Sequence, residues 1–284
     1  MQDNSELEET WENLTFANNF LFCKIMESEP ELCKQVLELL LEIKIDHLEY
    51  PVAERTFQEN IDSKSVRFDV YTQDDNRIFD LEIQTTNKRN LPKRARYYQS
   101  IIDVENLYKG LNYTKLKDSY VIFLCLKDTF NKGLPVYFFE NICRQNKNIR
   151  LNDRTFKVFF NASSCDKLLN EEQKNFFKFL KGQTANDDLT KKLEEKVLFA
   201  KKNSTWRHQF MTWQQTIDEE VEIAREEAYQ DAYREAYHKA YHKKALDAAR
   251  NLLSLNMLTI EQIAKVQGLS VEEVKSLALE KSQK

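Results

Sequence analysis

Two short stretches with a period of two constrain the fold of this chain more than any other feature. In SVRFDVYT, from Ser65 to Thr72, apolar and polar residues alternate, and IFDLEIQ, from Ile78 to Gln84, repeats the alternation. This pattern is typical of β-strands. The residues QDDN between the two stretches favour a turn. The sequence therefore predicts a β-hairpin with carboxylates along one of its sides.

The patterns around the hairpin predict an α/β domain. Helical periodicity covers residues 15–27, 31–44 and 93–109. The run SYVIFLCL at 119–126 is apolar throughout, as expected of a central strand that is buried on both faces. Two further strands are predicted in PVYFFENIC and TFKVFFN, and the chain reads as helix from about residue 171 onward. This order predicts a mixed sheet flanked by helices, with a helical C-terminal extension.

The C-terminal region carries a four-residue repeat, AYQDAYREAYHKAY at 228–241. Spacing of four keeps the alanines near one face of a helix, which we expect to run from about 206 to 254 and either to project or to self-associate. The segment LTIEQIAKVQGLSVEEVKSLA has helix–turn–helix spacing, but its second helix offers two glutamates and one lysine where base contacts need basic or amide side chains. A small capping hairpin is the preferred interpretation. The expected domains are 1–213, 214–254 and 255–284.

Composition excludes several classes of protein. Four glycines are too few for a glycine-rich phosphate loop, and a net charge of −4 restricts any nucleic-acid contact to a local basic patch. The five cysteines form no CxxC pair, which favours reduced thiols. The first residues lack the apolar core of a signal peptide, and no apolar run nears the ~20 residues of a membrane span. We therefore expect a cytoplasmic protein without a membrane partner.

The hairpin carboxylates have two interpretations. If the two aspartates of QDDN form the turn, Asp69 lies opposite Asp80, Arg67 lies opposite Glu82, and Asp69 and Glu82 are diagonal neighbours on one face. Two carboxylates so placed can share a divalent cation such as Mg²⁺, which completes its shell with water and substrate phosphates. Alternatively, Arg67 pairs with Glu82 across the strands and the face is simply solvated.

A basic segment follows the hairpin directly. Residues 87–96 contain five cations and no acid, and aromatic residues follow. Basic and aromatic side chains presented together suit phosphate contact and base stacking, although a cationic helix surface explains the charge alone. The candidate DNA-binding residues are Lys88, Arg89, Lys93, Arg94, Arg96, Tyr98 and Gln99.

These stretches resemble a known family. The motifs KSVRFDVY, IFDLEIQ, LPKRARYYQSIIDVENLYKG and SYVIFLCLKDTFNKGLPVYFFEN, between LTFANNFLFCKIM and RHQFMTW, are similar to those of PD-(D/E)XK nuclease family transposases over about residues 14–213. The resemblance implies a restriction-endonuclease-like fold and Mg²⁺-dependent DNA cleavage linked to recombination, with Mn²⁺ as a substitute. It implies that Asp69 and Glu82 hold the metal. It places Gln84 where the superfamily usually has lysine, so Gln84 would position water or phosphate.

Two further residues are candidate contributors to that site. Asn19 stands where the family often has aspartate, so it keeps an oxygen but loses a charge, and Glu54 precedes the hairpin. The loss at position 19 leaves a second hypothesis open, that of a non-catalytic DNA-binding or self-associating protein. A metal pair formed by His238 and His242 lacks a third ligand nearby in the sequence, so solvated histidines are the preferred interpretation.

Overall fold

The fold is taken from a computed structural model that describes residues 8, 10–57, 66–86 and 89–282. The chain divides into two compact units, Met1–Met211 and Thr212–Lys284. The first unit contains α1 (Asn19–Ser28), α2 (Pro30–Leu41), β1 (Val52–Phe57), β2 (Val66–Gln73), β3 (Arg77–Gln84), α3 (Leu91–Asn106), β4 (Asp118–Cys125), β5 (Val136–Phe139), β6 (Thr155–Asn161), α4 (Glu171–Leu180) and α5 (Asp188–Lys202). Helix α6 (Ser204–Leu255) crosses the boundary, and α7 (Ile260–Gln267) and α8 (Val271–Ser282) complete the second unit.

The first unit is built on one mixed sheet of six strands in the order β1-β2-β3-β4-β6-β5. The β1–β2, β2–β3 and β5–β6 pairs are antiparallel, whereas β3–β4 and β4–β6 are parallel. Helix α3 connects the parallel strands β3 and β4, as crossover connections usually do. The predicted α/β class, the mixed sheet and the helical C-terminal region are confirmed. Strand β1 was not predicted.

Helices cover both faces of this sheet. On one face, Leu91, Ala95 and Ile102 of α3 pack with Phe123 of β4 and Phe159 of β6 in one buried cluster. Successive strand residues point to opposite faces, so the side chain that follows Phe159 enters the other layer. There Phe160 packs on Phe177 of α4, with ring centroids 5.3 Å apart. Because the central strands are buried on both faces, they read as continuous apolar runs.

The hairpin register expected from the sequence was wrong, because the turn lies one residue further along the chain. Tyr71, not Asp69, pairs with Asp80, and Gln73 pairs with Ile78. The reason is the side chain of Asp74, whose Oδ1 accepts hydrogen bonds from the amides of Asn76 (2.9 Å) and Arg77 (2.7 Å). Asp74 therefore begins the turn, as aspartate commonly does when it bonds to amides that follow it. Between Val70 and Gln73 the shift preserves which residues share a face, because it moves each partner by two residues.

The second unit forms a small core of its own. Ala245 and Ala249 of α6 pack with Ile263 of α7 and with Val274 and Leu277 of α8. Gly268 ends α7 with φ of 65°, the left-handed conformation that favours glycine at a helix C-terminus. Helices α7 and α8 thus pack on the last turns of α6. None of the helices in the described ranges combines the length and apolar character that a membrane crossing needs.

Candidate active site

The alternation of β2 breaks at Asp69. Phe68 and Tyr71 are three residues apart, so a regular strand would place them on opposite faces. Both nevertheless belong to the cluster against α3, and their ring centroids are 5.7 Å apart. Regular pairing with β3 runs from Gln73 to Val70. An extra residue in one strand defines a β-bulge, and bulges redirect side chains beside functional sites. We interpret the break as such a bulge.

Asp69 and Glu82 lie side by side and are joined through the main chain. The amide of Asp69 donates to Oε1 of Glu82 (2.9 Å), and the amide of Ile83 donates to Oδ2 of Asp69 (3.0 Å). Both carboxylates are buried. The structure therefore brings together the two acidic residues that the sequence singles out, in direct contact rather than as diagonal neighbours.

Arg94 of α3 is the cation that contacts Glu82. Its Nη2 forms an ion pair with Oε2 of Glu82, and its Nη1 donates to Oε1 of Gln84 (3.3 Å). Its Nε donates to the hydroxyl of Tyr98 (2.7 Å). The amide nitrogen of Gln84 donates to the carbonyl of Thr86 (3.0 Å), which fixes the end of β3. Glu82, Gln84 and Arg94 therefore form one connected group.

The alternative pairing of Arg67 with Glu82 is wrong. Arg67 lies instead 3.9 Å from Oε1 of Glu54, because the bulge and the corrected register separate it from Glu82. Glu54 has a left-handed backbone with φ of 52°, which marks an irregularity in β1. Its Oε1 is buried and accepts no hydrogen bond, although Arg67 balances part of its charge.

Helix α1 contributes Asn19 and Cys23 to the same place. The side chain of Asn19 hydrogen-bonds Asp69 and so lowers the pKa of that carboxyl against the larger effect of burial. The thiol of Cys23 donates to the carbonyl of Asp69 (3.2 Å). Burial raises the pKa of Cys23 well above its usual value, and Asp69, Glu54 and Glu82 raise it further. The thiol of Cys23 therefore lies within electrostatic reach of all three acids.

Asp80 adds a third buried carboxylate. Its side chain is completely buried, and neither Oδ atom accepts a hydrogen bond. It lies two residues before Glu82 on β3, so the two side chains share a face of the strand. A buried carboxylate without a donor is costly, so the fold favours the protonated form of Asp80, which hydrogen-bonds Glu82.

The pKa values of all three acids are raised, and neighbouring acids contribute to the shift at Asp80 and at Glu82. Burial is the main cause for each of them. The pKa of Glu82 rises to about 8, through burial and then Asp69, although Arg94 opposes the shift. The pKa of Asp80 rises well above its ordinary value through burial and the charges of Glu82 and Asp69. The site thus favours bound protons or another cation over three free negative charges.

The predicted basic patch divides into surface and interior residues. Arg89, Lys93 and Arg96 are exposed, whereas Lys88 lies outside the described residues. Tyr98 and Gln99 are only 8% and 6% exposed, so their prediction as DNA contacts was wrong. The stripe of α3 that includes them faces the sheet: Tyr98 packs edge-on against Phe68, and Gln99 donates to the hydroxyl of Ser119 (2.5 Å). Tyr97 is the half-exposed aromatic residue of this surface.

The donor set fits a hard divalent cation. Within the described ranges no three His, Cys, Asp or Glu side chains form a ready-made metal-binding group. Asp69 and Glu82 nevertheless supply two adjacent carboxylates, and Mg²⁺ commonly binds through one or two carboxylates plus water and substrate phosphates. Asp80, a third buried acid beside them, adds further negative charge whenever it is ionised. Oxygen donors in excess of cations are the condition under which such an ion binds.

The two histidines of the repeat do not form a comparable site. Nε2 of His242 lies 3.2 Å from Oε1 of Glu273, which makes it one half of an exposed ion pair when protonated. His238 is exposed. The described part of the chain offers them no third metal-binding side chain. Their interpretation as solvated residues stands.

Comparison with known proteins identifies one family. Comparison with curated proteins and with solved structures gives no match. A family model described as PD-(D/E)XK nuclease family transposase matches residues 17–240. That range includes the whole six-stranded sheet, the Asp69–Glu82 pair and most of α6. The chain belongs to the PD-(D/E)XK nuclease family transposases.

Proposed function

We propose that the protein is an Mg²⁺-dependent DNA endonuclease that hydrolyses phosphodiester bonds during recombination or transposition. The observation that supports this most strongly is the contact between Asp69 and Glu82 across β2 and β3. Two buried carboxylates at a bulge, with an amide and a guanidinium beside them, match the needs of metal-assisted phosphoryl hydrolysis. Mn²⁺, which prefers similar ligands, would substitute for Mg²⁺.

In this proposal, Asp69 and Glu82 hold the cation. When bound, the ion would polarise the phosphoryl oxygen and lower the pKa of bound water. The amide of Ile83 and the side chain of Asn19 fix the orientation of Asp69. Gln84 is neutral, so it neither takes a proton nor supplies charge. Its amide group, at the end of β3, instead orients water or a phosphate oxygen.

The exposed cations at the start of α3 bind the DNA backbone in this account. Arg89, Lys93 and Arg96 would contact phosphates without reading sequence, because phosphate contacts position a protein but carry no base information. Tyr97 offers an aromatic face for stacking beside them. With all five cysteines free, the protein is proposed to act in the cytoplasm.

The C-terminal helix is proposed to bind a second copy of the chain. Tyr229, Tyr233, Tyr237 and Tyr241 are each 59–64% exposed, which leaves an aromatic stripe along α6. The helix is acidic at residues 218–227 and basic at 234–244. Two antiparallel copies would therefore place the acidic half of each helix against the basic half of the other, which favours this partner.

A second candidate function is a non-catalytic, DNA-binding or self-associating protein. Two observations favour it: position 19 carries asparagine instead of a carboxylate, and Arg94 already neutralises Glu82. A protein that had lost metal binding would keep the fold, the basic surface and the long helix.

Incubation with supercoiled plasmid separates the two candidates. The endonuclease should convert the plasmid to nicked or linear forms with Mg²⁺ or Mn²⁺, and EDTA should stop the reaction. Asp69→Ala, purified identically, controls for contaminating nucleases and should leave the plasmid intact. Equal cleavage by Asp69→Ala would assign the activity to a contaminant, and no cleavage by either protein would favour the non-catalytic candidate.

A further inference from the structure

Arg94 is largely buried within the candidate site, unlike the exposed cations of the same helix. Its guanidinium lies 4.9 Å from the ring centroid of Tyr98 and 5.5 Å from that of Phe123, so two aromatic faces support it. All three of its nitrogens have partners, namely Tyr98, Gln84 and Glu82. Its side chain is nevertheless 24% exposed, so one side of the group still faces solvent. Arg94 thus connects the buried carboxylates to the surface of α3.

The two oxygens of Glu82 have different partners. Oε1 accepts from the amide of Asp69, a main-chain contact that belongs to the bulge. Oε2 faces Arg94. The oxygen left for an incoming cation is therefore the one that Arg94 occupies. A guanidinium and a metal ion both carry positive charge, so they repel each other when they bind the same oxygen at close range.

We propose that Arg94 and the divalent cation are alternative partners of Glu82, and that the displaced Arg94 binds the phosphate to be cleaved. This inference rests on the proposed endonuclease function. In the metal-free protein, Arg94 fills the cation's place and offsets the charge of the buried acids. When the cation binds, the Nη atoms of Arg94 leave Glu82.

The surroundings of Arg94 suit this second position. The Nε bond to Tyr98 and the contact with the two rings hold the inner part of the side chain, whereas the Nη atoms are bound by Glu82 and Gln84 alone among the described residues. A guanidinium released there keeps two donors in a planar fork that matches phosphate oxygens. It also supplies the positive charge that the neutral Gln84 cannot supply to a transition state with growing negative charge.

If Arg94 and the cation compete for Glu82, loss of Arg94 should strengthen metal binding and weaken catalysis. Loss of an ordinary structural ion pair would not have these opposite effects. In Arg94→Met, Mn²⁺ affinity measured by calorimetry should rise at least ~10-fold because the competitor is gone. Plasmid cleavage at saturating Mg²⁺ should fall by ~10²–10³-fold, as expected for the loss of one preorganised donor. Arg94→Lys keeps the charge and should restore part of the cleavage. Lys109→Met removes an exposed cation that follows the same helix and should leave Mn²⁺ affinity unchanged.

A measurement on the wild-type protein covers the case in which Arg94→Met does not fold. The Nη–H resonances of Arg94, followed by NMR, should shift when Mg²⁺ is added without DNA, because these are the atoms that leave Glu82. Unchanged resonances at saturating Mg²⁺ would overturn the displacement, as would equal or weaker Mn²⁺ binding by folded Arg94→Met. Absence of Mn²⁺ binding by the wild-type protein would instead overturn the metal site itself and this inference with it.

Discussion

The side chain of Asn19 in α1 hydrogen-bonds the carboxylate of Asp69 in β2. This contact joins the helical layer to the bulged strand and brings position 19 into the candidate site. An asparagine there satisfies Asp69 without adding charge. The identity of this residue therefore sets how many negative charges surround the proposed cation.

We predict that Asn19→Asp raises cleavage at limiting Mg²⁺. Two unit charges 4 Å apart interact by about 1 kcal/mol in water and about 4 kcal/mol near a protein surface, so one added carboxylate should lower the required Mg²⁺ several-fold or more. The metal-free variant should unfold at a lower temperature, because Asp69 gains a like-charged neighbour. The measurement is a Mg²⁺ titration of plasmid cleavage together with thermal unfolding in EDTA.

Asn18→Asp is the matched control for this change. Asn18 caps α1, and its Oδ1 accepts from the amide of Leu21. Aspartate caps a helix as well as asparagine does, so the control adds the same charge one residue away without a change in the cap. Equal Mg²⁺ responses of the two variants would remove position 19 from the site and leave Asp69 and Glu82 unaffected.

Asp80 should make the metal-free protein less stable as pH rises. Its pKa is raised from 3.8 in the fold, and that of Glu82 is raised to about 8, so the native state keeps protons that the unfolded chain releases. Stability is then greatest below about pH 4 on this account and is lost as pH rises toward 8. In Asp80→Asn the slope of the unfolding free energy against pH should be smaller by up to about 1.4 kcal/mol per pH unit.

Chemical denaturation in EDTA at several pH values measures this slope. Asp75→Asn, in the exposed turn of the same hairpin, is the control and should keep the wild-type slope. Parallel curves for wild-type and Asp80→Asn would mean that Asp80 is ionised in the fold and that its burial is compensated elsewhere.

The sequence predicts the helices and most strands of this fold because each type of element has its own hydrophobic pattern. Alternation identified β2 and β3, and the continuous apolar run identified β4. β1 escaped prediction because its residues, VAERTF, do not alternate between apolar and polar and include the left-handed residue Glu54. Composition alone carries no signal for that irregularity.

The pairing of side chains was harder to predict than their presence. Asp69, Glu82 and Gln84 were identified, but the turn could begin at Gln73 or at Asp74, and only the Asx hydrogen bonds of Asp74 decide the register. The partner of Glu82 was missed because Arg94 belongs to the helix that follows the hairpin. Its spacing from Tyr98, on a stripe that also contains apolar residues, was the available signal that this cation faces inward.

The exposed cations of α3 should determine the salt dependence of DNA binding. Changing Arg89, Lys93 and Arg96 to glutamine should weaken binding to any sequence and reduce the slope of log K against log salt by about 0.9 for each phosphate that is no longer neutralised. Fluorescence anisotropy with two unrelated duplexes in EDTA measures both effects. Lys191→Gln with Lys202→Gln, on exposed positions of α5, is the control and should keep the slope. An unchanged slope in the triple variant would show that the DNA binds elsewhere.

The tyrosine stripe of α6 should control self-association. Changing Tyr229, Tyr233, Tyr237 and Tyr241 to alanine should lower the molar mass in light scattering, because the stripe is exposed and its removal leaves the helix intact. The control changes Asp231, Glu235 and Lys239 to alanine on the other side of the helix, and should keep the wild-type mass. If all three proteins have one protomer's mass, α6 does not bind a second copy.

The central claim is that Asp69 and Glu82 hold one divalent cation together, and calorimetric titration with Mn²⁺ tests it most directly. Wild-type protein should bind Mn²⁺ at this site, and Asp69→Ala and Glu82→Ala should each weaken that binding by at least ~10-fold in affinity. Asp75→Ala, an exposed carboxylate of the same hairpin, should bind as the wild type does. Equal Mn²⁺ binding by wild type, Asp69→Ala and Glu82→Ala would contradict the claim.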